Sequence, residues 1–280
     1  MQFEKWQALG NDYVIVERDA LPWDLTPDRV RRICEPHFGV GSDGVLLLSP
    51  AEDDYVAELR IFNPDGSEAE LSGNGAREAA LYLRRRGWTK DDEFTILTAA
   101  GEVRPRILSE TSCAMAIGRA STASGAFPSG EPGGTGELDA GGRRWSFQHV
   151  SVGNPQCVIE VGDEVEELDL GAVGPGIESH ELFPERTNVS FIRVDGSTVR
   201  ARIFERGAGE TLSSGTGASG AAVAAVVGGA ASPITVRLDG GELEVEVSPD
   251  LDVVLIGSAE PVYRGELSQE LLAKLDAEGG

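Results

Sequence analysis

Two serines that begin matching glycine-rich motifs are the residues of this sequence best placed to do chemistry. Ser72 opens the run Ser-Gly-Asn-Gly-Ala, and Ser214 opens the run Ser-Gly-Thr-Gly-Ala. Glycines at a helix start let the backbone approach a ligand, while the free N–H groups and the positive end of the helix dipole attract an anion such as a carboxylate. Each motif therefore predicts a carboxylate cradle with one hydroxyl at its mouth.

The same serines have a second interpretation as plain helix N-caps. Serine is a preferred N-cap residue, and a lone Gly-x-Gly run is more often just a tight turn. A hydroxyl is a far poorer base than a thiolate near neutral pH, and no histidine or lysine adjoins either serine in the sequence. From the residues alone, the chemical and the structural interpretation stay equally open.

The two motifs belong to an internal repeat. Residues 60–80 and 202–222 share Arg-Ile-Phe, a glutamate and the pattern Ser-Gly-x-Gly-Ala-x-x-Ala-Ala in one register, and Gly10-Asn11 recurs as Gly153-Asn154 at nearly the same spacing. A repeat this long fits a duplicated domain and not a solenoid. If the copies pack about a pseudo-twofold axis, the two serines face each other across one small molecule. That arrangement suits proton removal from one face of a carbon and proton delivery to the other.

Hydrophobic patterning predicts that each copy consists mostly of strands. Predicted strands show alternating or short apolar runs and cover residues 45–48, 55–62, 242–247 and 253–256. The Asp-Gly-Gly sequence around Gly240 supplies hairpin chemistry between two strands. Residues 121–142 are rich in Gly, Ser and Pro, which predicts a connection or a long exposed loop.

Helices are fewer. One is predicted to begin with Thr26 as N-cap and Pro27 at its first position, and a second follows Gly75 and ends near Gly87. The third follows Gly217 and is apolar on all sides, so we expect it to be buried, inside a wrapped sheet.

The bulk composition excludes several classes of partner. The chain has 280 residues with 24 Lys+Arg against 47 Asp+Glu, a net charge of −23 that repels nucleic acid and acidic membrane surfaces. No apolar run is long enough to span a membrane, and no signal peptide opens the sequence, so we expect a cytoplasmic protein. The three cysteines, Cys34, Cys113 and Cys157, are far apart and read as small buried residues. The three histidines are scattered, so no metal site is expected.

Six blocks of the sequence resemble those of diaminopimelate epimerases, in family order and across nearly the whole chain. They are Leu9–Asp12, His37–Gly44, Arg60–Arg77, Gly153–Val158, Phe183–Val189 and Glu205–Gly217.

The resemblance implies an α/β, more strictly α+β, fold of two pseudo-twofold-related domains. Each domain is a mixed, mostly antiparallel sheet wrapped around a central helix. The implied domains are residues 1–117, joined by a C-terminal strand from about 260–280, and residues 118–259. The implied reaction is a two-base, pyridoxal-independent interconversion of LL- and meso-diaminopimelate, a lysine and peptidoglycan precursor, with no cofactor. The small-molecule substrate would be diaminopimelate, and a homodimer is expected.

Site residues are carried over from the resemblance position by position. Ser72, Ser214 and Glu205 take the catalytic positions. Substrate-binding positions fall on Asn11, Asn63, Gly73, Asn74, Asn154, Gln156, Asn188, Glu205, Arg206, Gly215 and Thr216. Physical chemistry agrees, since Arg206 suits the distal carboxylate of a diacid and Glu205 an ammonium group. The asparagines have a structural alternative as turn residues.

The chain departs from the family pattern at three positions. Serine stands at 72 and 214 where the family has its catalytic cysteines, and Gln156, which cannot shuttle a proton, stands where the family has a histidine. This predicts weak or absent epimerase activity. Either cysteines were replaced by serines to trap a ligand-bound state, or the chain is a natural relative with different chemistry. We favour the former because serine preserves the shape of cysteine.

Two other functions stay open. The first is racemisation, isomerisation or dehydration of another amino or hydroxy acid. The second is a non-catalytic amino-acid-binding protein that kept the pocket and lost the chemistry.

Overall fold

The computed structural model describes residues 1–52, 54–131 and 133–277. Its described chain divides into two compact units. The first comprises Met1–Met115 with the C-terminal segment from Gly257, and the second comprises Ala116–Ile256.

The helices and strands have the following bounds. The elements up to the unit boundary are β1 (Gln2–Ala8), β2 (Asn11–Glu17), α1 (Pro27–Cys34), β3 (Val45–Ser49), β4 (Ala57–Phe62), β5 (Glu68–Ala69), α2 (Gly73–Arg86), β6 (Ile96–Thr98), β7 (Gly101–Val103), β8 (Pro105–Ile107) and β9 (Ser112–Arg119). The remaining elements are β10 (Thr135–Ala140), β11 (Arg143–Ser151), β12 (Pro155–Glu160), α3 (Leu170–Glu178), β13 (Asn188–Asp195), β14 (Thr198–Glu205), β15 (Gly209–Thr211), α4 (Gly215–Val227), β16 (Ile234–Leu238), β17 (Gly241–Val247), β18 (Asp252–Ser258), β19 (Glu260–Glu266) and α5 (Gln269–Ala277).

The sheet of the first unit has the order β19-β1-β2-β3-β4-β6-β7, with β5 paired to β4. Pairs β2–β3 and β4–β6 are parallel, and the other neighbours are antiparallel. One sheet face packs against α2, whose stripe of Ala76, Ala79, Ala80 and Leu83 is fully buried. Small side chains at helical spacing let the helix axis lie close to the sheet, which explains the alanines.

The second unit repeats this pairing pattern. Its strands run β10-β11-β12-β13-β14-β16-β17-β18, with β15 paired to β14, and the parallel pairs are β12–β13 and β14–β16. Helix α4 takes the place that α2 has in the first unit and is buried along most of its length. The internal repeat in the sequence is therefore a repeat of strand order, strand direction and central helix.

The three predicted helices are present, and α2 and α4 begin at Gly73 and Gly215, slightly before the predicted starts after Gly75 and Gly217. The Thr26 hydroxyl caps α1 with Pro27 at its first position. Helix α2 ends at Gly87, which adopts the left-handed conformation with φ 77° that closes a helix without Cβ strain. The four predicted strands correspond to β3, β4, β17 and β18, with boundaries shifted by at most two residues. Leu238 pairs with Gly241 across the predicted hairpin turn.

The prediction for residues 121–142 is wrong at its C-terminal end. Thr135–Ala140 forms β10, which pairs antiparallel with β11. Leu138 and Ala140 alternate into the core as strand residues do, and Gly141 and Gly142 both have positive φ, as a tight hairpin turn requires. Gly141 and Gly142 form the hairpin turn, and the composition of the segment did not predict it because turns and flexible linkers are both rich in glycine.

The predicted fold class is confirmed. The protein is mixed α+β, with two mostly antiparallel sheets and a central helix in each unit. Cys34, Cys113 and Cys157 are free and buried, as their spacing indicated. Among the described residues, no helix is both long and apolar enough to cross a membrane.

Helix α2 also buries a carboxyl group. Glu78 is fully buried, and desolvation raises its pKa well above the usual value. The folded chain therefore holds Glu78 protonated under conditions where the unfolded chain ionises it.

We expect Glu78→Gln to raise the unfolding midpoint more at pH 8 than at pH 5. A raised folded pKa contributes stability below the unfolded pKa, and this stability is lost as pH rises toward the folded pKa, whereas glutamine has no proton to lose. Thermal unfolding followed by circular dichroism at both pH values measures the difference. The exposed Glu110→Gln makes the same change in composition and serves as control. An equal effect of Glu78→Gln at the two pH values would show that this carboxyl group is not held protonated.

Candidate active site

The start of α2 fixes Ser72. Its hydroxyl oxygen caps the helix by accepting the Gly75 N–H at 3.1 Å, and the Tyr13 hydroxyl donates to the same oxygen at 3.2 Å. Strand β2 supplies Tyr13, so the sheet and the helix meet at this serine. A Cβ at Gly73 would meet nothing within 4 Å, which leaves open space beside the first residue of the helix.

Four polar side chains form a hydrogen-bonded series at the same helix start. The Asn74 amide donates to Asn11 Oδ1 at 3.1 Å, and the fully buried Arg77 donates to Asn74 Oδ1 at 2.5 Å. The Asn11 amide in turn donates to Asp43 at 2.9 Å. Of the residues predicted to bind substrate, Asn11, Gly73 and Asn74 are thus gathered around Ser72.

Asn63 lies in a separate turn after β4. Its amide donates to Ser67 Oγ at 2.9 Å, and its backbone N–H donates to the Ser67 carbonyl at 2.8 Å. These bonds are those of a turn residue, the structural alternative that its sequence position allowed.

In the second unit, the start of α4 places Ser214 beside a carboxylate. The buried Ser214 hydroxyl accepts the Gly217 N–H at 3.2 Å and donates to Glu205 Oε2 at 2.9 Å. Thr211 donates to the other carboxylate oxygen at 2.8 Å. Glu205 ends β14, so the strand and the short β15 hairpin fix the acid next to the helix start. Two of the predicted catalytic residues are therefore in direct contact.

A second chain of side chains leads from α4 into β12. The Asn154 amide donates to Thr216 Oγ1 at 3.2 Å, and the Gln156 amide donates to Asn154 Oδ1 at 2.7 Å. Gln156 is fully buried against α4, where a Cβ at Gly220 would come within 2.7 Å of Gln156 Cγ. Gly220 therefore makes room for Gln156, and the predicted residues Asn154, Gln156, Gly215 and Thr216 share one side of the helix start.

The loop after β14 carries Arg206 and is held by buried acceptors. Asn188 Oδ1 accepts the Arg206 N–H at 2.9 Å, and Glu178 Oε1 accepts the Gly207 N–H at 2.8 Å. The Arg186 guanidinium lies 3.1 Å from Glu178. The Arg206 guanidinium itself is at the surface and donates to the Glu185 carbonyl at 2.8 Å.

Sequence reasoning missed Tyr13, Arg77, Glu178 and Arg186. Tyr13 directly follows one matching block, and Arg77 and Arg186 lie inside others, which is a usable signal. Glu178 lies in α3, outside every block, and nothing in its local sequence indicates that it supports the Arg206 loop.

Burial disfavours the thiolate form of all three cysteines. Burial raises the pKa of the Cys113 thiol to about 11, and it also raises the pKa of Cys34 and of Cys157. Within the described parts of the chain, no cluster of three or more His, Cys, Asp or Glu side chains could hold a metal ion. The Ser72 and Tyr13 hydroxyls at the start of α2, and the Ser214 hydroxyl and Glu205 carboxylate at the start of α4, are groups that could exchange protons.

Solved structures show the class of fold to which this arrangement belongs. A predicted epimerase from Pseudomonas aeruginosa superposes with a TM-score of 0.66 at 19% identity, over 95% of this chain and 98% of that one. A hydroxyproline epimerase from Agrobacterium vitis gives 0.64 at 17% identity, over 95% and 91%. The chain has the fold of these epimerases, in which two pseudo-symmetric domains recur.

The sequence comparison narrows the class to one family. The family model for diaminopimelate epimerase matches residues 3–123 and 148–262. A diaminopimelate epimerase from Synechococcus sp. (strain JA-3-3Ab) is 41% identical over 96% of this chain and 99% of its own length. The chain belongs to the diaminopimelate epimerase family.

The hydrogen bonds of Asn74 predict that its replacement lowers the free energy of unfolding more than replacement of Asn63 does. Asn74→Ala removes the acceptor of the buried Arg77 and the donor to Asn11, and a buried donor without a partner costs about 1–3 kcal/mol. Asn63→Ala removes one bond in an exposed turn and should cost less than about 1 kcal/mol. Urea unfolding of the two variants measures both free energies. Equal losses would mean that Asn74 does not organise the helix start.

Proposed function

We propose that the chain binds diaminopimelate and that its site is built for cofactor-independent, two-base epimerisation between the LL and meso forms. One observation carries the proposal: each unit presents a serine hydroxyl and free backbone N–H groups at the start of a buried helix, and one of these serines is hydrogen-bonded to a carboxylate. Membership of the diaminopimelate epimerase family supports the substrate.

The two helix starts have complementary roles in this proposal. Their N–H groups and positive dipole ends hold the reacting carboxylate and stabilise the charge that develops as the α-proton leaves. Ser72 and Ser214 are the two acid–base groups, with Asn11 and Asn74 contributing to binding beside Ser72 and Asn154 and Thr216 beside Ser214. Gly73 shapes the helix start at Ser72, and Gly215 and Gln156 shape the helix start at Ser214.

Charged residues select a substrate with a second charged end. We assign Arg206 to the distal carboxylate, because a guanidinium binds a carboxylate with two parallel hydrogen bonds. The Asn188 side chain accepts a hydrogen bond from the Arg206 backbone N–H and so orients Arg206. Glu205 accepts the Ser214 proton, and its remaining lone pairs suit the substrate ammonium group. Asn63, which is held in the turn after β4, is assigned to a peripheral substrate contact.

Serine at both catalytic positions makes the proposed reaction slow. A hydroxyl is rarely ionised near neutral pH, whereas a cysteine at a helix N-terminus is readily deprotonated. Both origins proposed above for the serines, replacement and natural divergence, give the same expectation of weak activity. A cytoplasmic homodimer is the setting that the family's biosynthetic role supports.

A second candidate keeps the fold and changes the substrate. A solved structure of the same fold is a hydroxyproline epimerase with bound trans-4-hydroxy-L-proline, which supports racemisation of a smaller amino acid. Titration calorimetry distinguishes the two, because Arg206 favours a diacid over a monocarboxylate. A third candidate is amino-acid binding without chemistry, which predicts binding of diaminopimelate and no α-proton exchange in any variant.

We expect the double variant Ser72→Cys plus Ser214→Cys to exchange the α-proton of diaminopimelate with solvent about 100-fold faster than the parent chain. Correctly placed acid and base groups contribute about 10²–10⁴-fold, and thiols at helix starts supply a far larger ionised fraction than hydroxyls do. Loss of the α-proton signal in D₂O, followed by NMR, measures the rate.

The neighbouring Ser213→Cys is the matched control, since Ser213 is buried beside Ser214 but caps no helix. It should leave the exchange rate at the parental value. A double variant that binds diaminopimelate in calorimetry yet shows no exchange would refute the epimerase assignment.

A further inference from the structure

The hydrogen bonds around Ser72 use both lone pairs of its oxygen. The Gly75 N–H and the Tyr13 hydroxyl both donate to Oγ. A serine hydroxyl has two acceptor lone pairs and one proton to donate. With both lone pairs occupied, the proton is the part of the hydroxyl that remains for a ligand. Two donors also stabilise the oxygen as its proton leaves, because hydrogen bonds to a charged form favour that form.

Ser214 has the opposite arrangement. Its oxygen accepts one hydrogen bond, from the Gly217 N–H, and its hydroxyl donates one to Glu205 Oε2. The group that remains for a ligand is a lone pair, and the adjacent carboxylate disfavours a negative charge on the serine oxygen. Ser214 can therefore accept a proton from a ligand, because its own proton can pass to the Glu205 carboxylate.

Tyr13 is held in position for this role. Its ring lies in the core of the first unit and is 6% exposed. A Cβ at Gly44 would come within 2.7 Å of Tyr13 Cε1 and 2.3 Å of the Phe62 carbonyl. Glycine at this position gives the ring its space, and the packed ring aims the hydroxyl at Ser72.

We propose that Tyr13 makes Ser72 a proton donor, whereas Glu205 makes Ser214 a proton acceptor, so that the two hydroxyls have opposite polarity. The inference deepens the proposed function and rests on it. Tyr13 is a positioning residue that acts through Ser72.

Each proton has a place to go within one unit. When Ser214 takes the α-proton of a bound substrate, the Cα–H bond breaks, the proton passes to Ser214 Oγ, and the Ser214 proton passes to the Glu205 carboxylate. When Ser72 gives its proton to a substrate carbanion, it receives the Tyr13 proton. Water then resets the two groups by taking one proton from neutral Glu205 and returning one to the Tyr13 phenolate.

Single thiol probes test the polarity without relying on turnover. The thiol introduced by Ser72→Cys has two donors and a helix start, and the thiol introduced by Ser214→Cys lies beside a carboxylate. We expect the first thiol to have a pKa lower by about one unit or more, which is about a tenfold difference in ionisation ratio. The pH dependence of iodoacetamide alkylation, followed by mass spectrometry, measures both pKa values. The buried native cysteines of the parent chain give the background rate.

Second-site variants assign the cause. Tyr13→Phe should raise the pKa of the Ser72→Cys thiol, and Glu205→Gln should lower the pKa of the Ser214→Cys thiol. Tyr82→Phe is the matched control, because the Tyr82 hydroxyl is also in the first unit but donates to Glu17. It should leave both thiols unchanged. Tyr13→Phe keeps the ring, and circular dichroism verifies the fold of each variant.

The outcomes separate this inference from the proposed function. Equal pKa values for the two thiols, a reversed order, or no response to Tyr13→Phe would overturn the polarity. If the thiols show the expected order and respond to Tyr13→Phe, the polarity is supported. If the double cysteine variant then shows no α-proton exchange, the epimerase proposal fails while the polarity of the two hydroxyls stands.

Discussion

The unsatisfied N–H groups at the start of a buried helix are the constraint on which this structure depends. The first N–H groups of a helix have no intrahelical partner, and a helix enclosed by a sheet cannot leave all of them to water. Ser72 and Ser214 each satisfy one such N–H, at Gly75 and Gly217. The remaining donors and the helix dipole stay available for an anion, so one solution to a folding problem also provides a binding site.

Small residues allow both the close packing of the helices and the placement of the site side chains. Alanines in α2 and α4 let each helix lie close to its sheet, and that closeness brings sheet residues to the helix start. Glycine is needed where a site residue takes the space, at Gly44 beside Tyr13 and at Gly220 beside Gln156. A larger residue at either position would displace a side chain that hydrogen-bonds within the site.

Local patterns predicted most of the fold. Alternation identified β4 and β17, and the cap residues Thr26 and Gly87 marked helix ends, because capping is decided by a few neighbouring residues. Strand β10 lies in a segment predicted to be a connection or loop, since glycines suit a linker as well as a hairpin. The support of the Arg206 loop by Glu178 was unpredictable because α3 reaches that loop only through the fold.

The sequence by itself determined the repeat, the two glycine-rich helix starts and the blocks shared with the family, since each is a property of neighbouring residues or of their spacing. The tertiary structure decided which partner each serine receives. Tyr13 is 59 residues from Ser72 along the chain, whereas Glu205 is 9 residues from Ser214. Matching motifs therefore have different surroundings, because strand register and packing, and not the motif, bring a phenol to one hydroxyl and a carboxylate to the other.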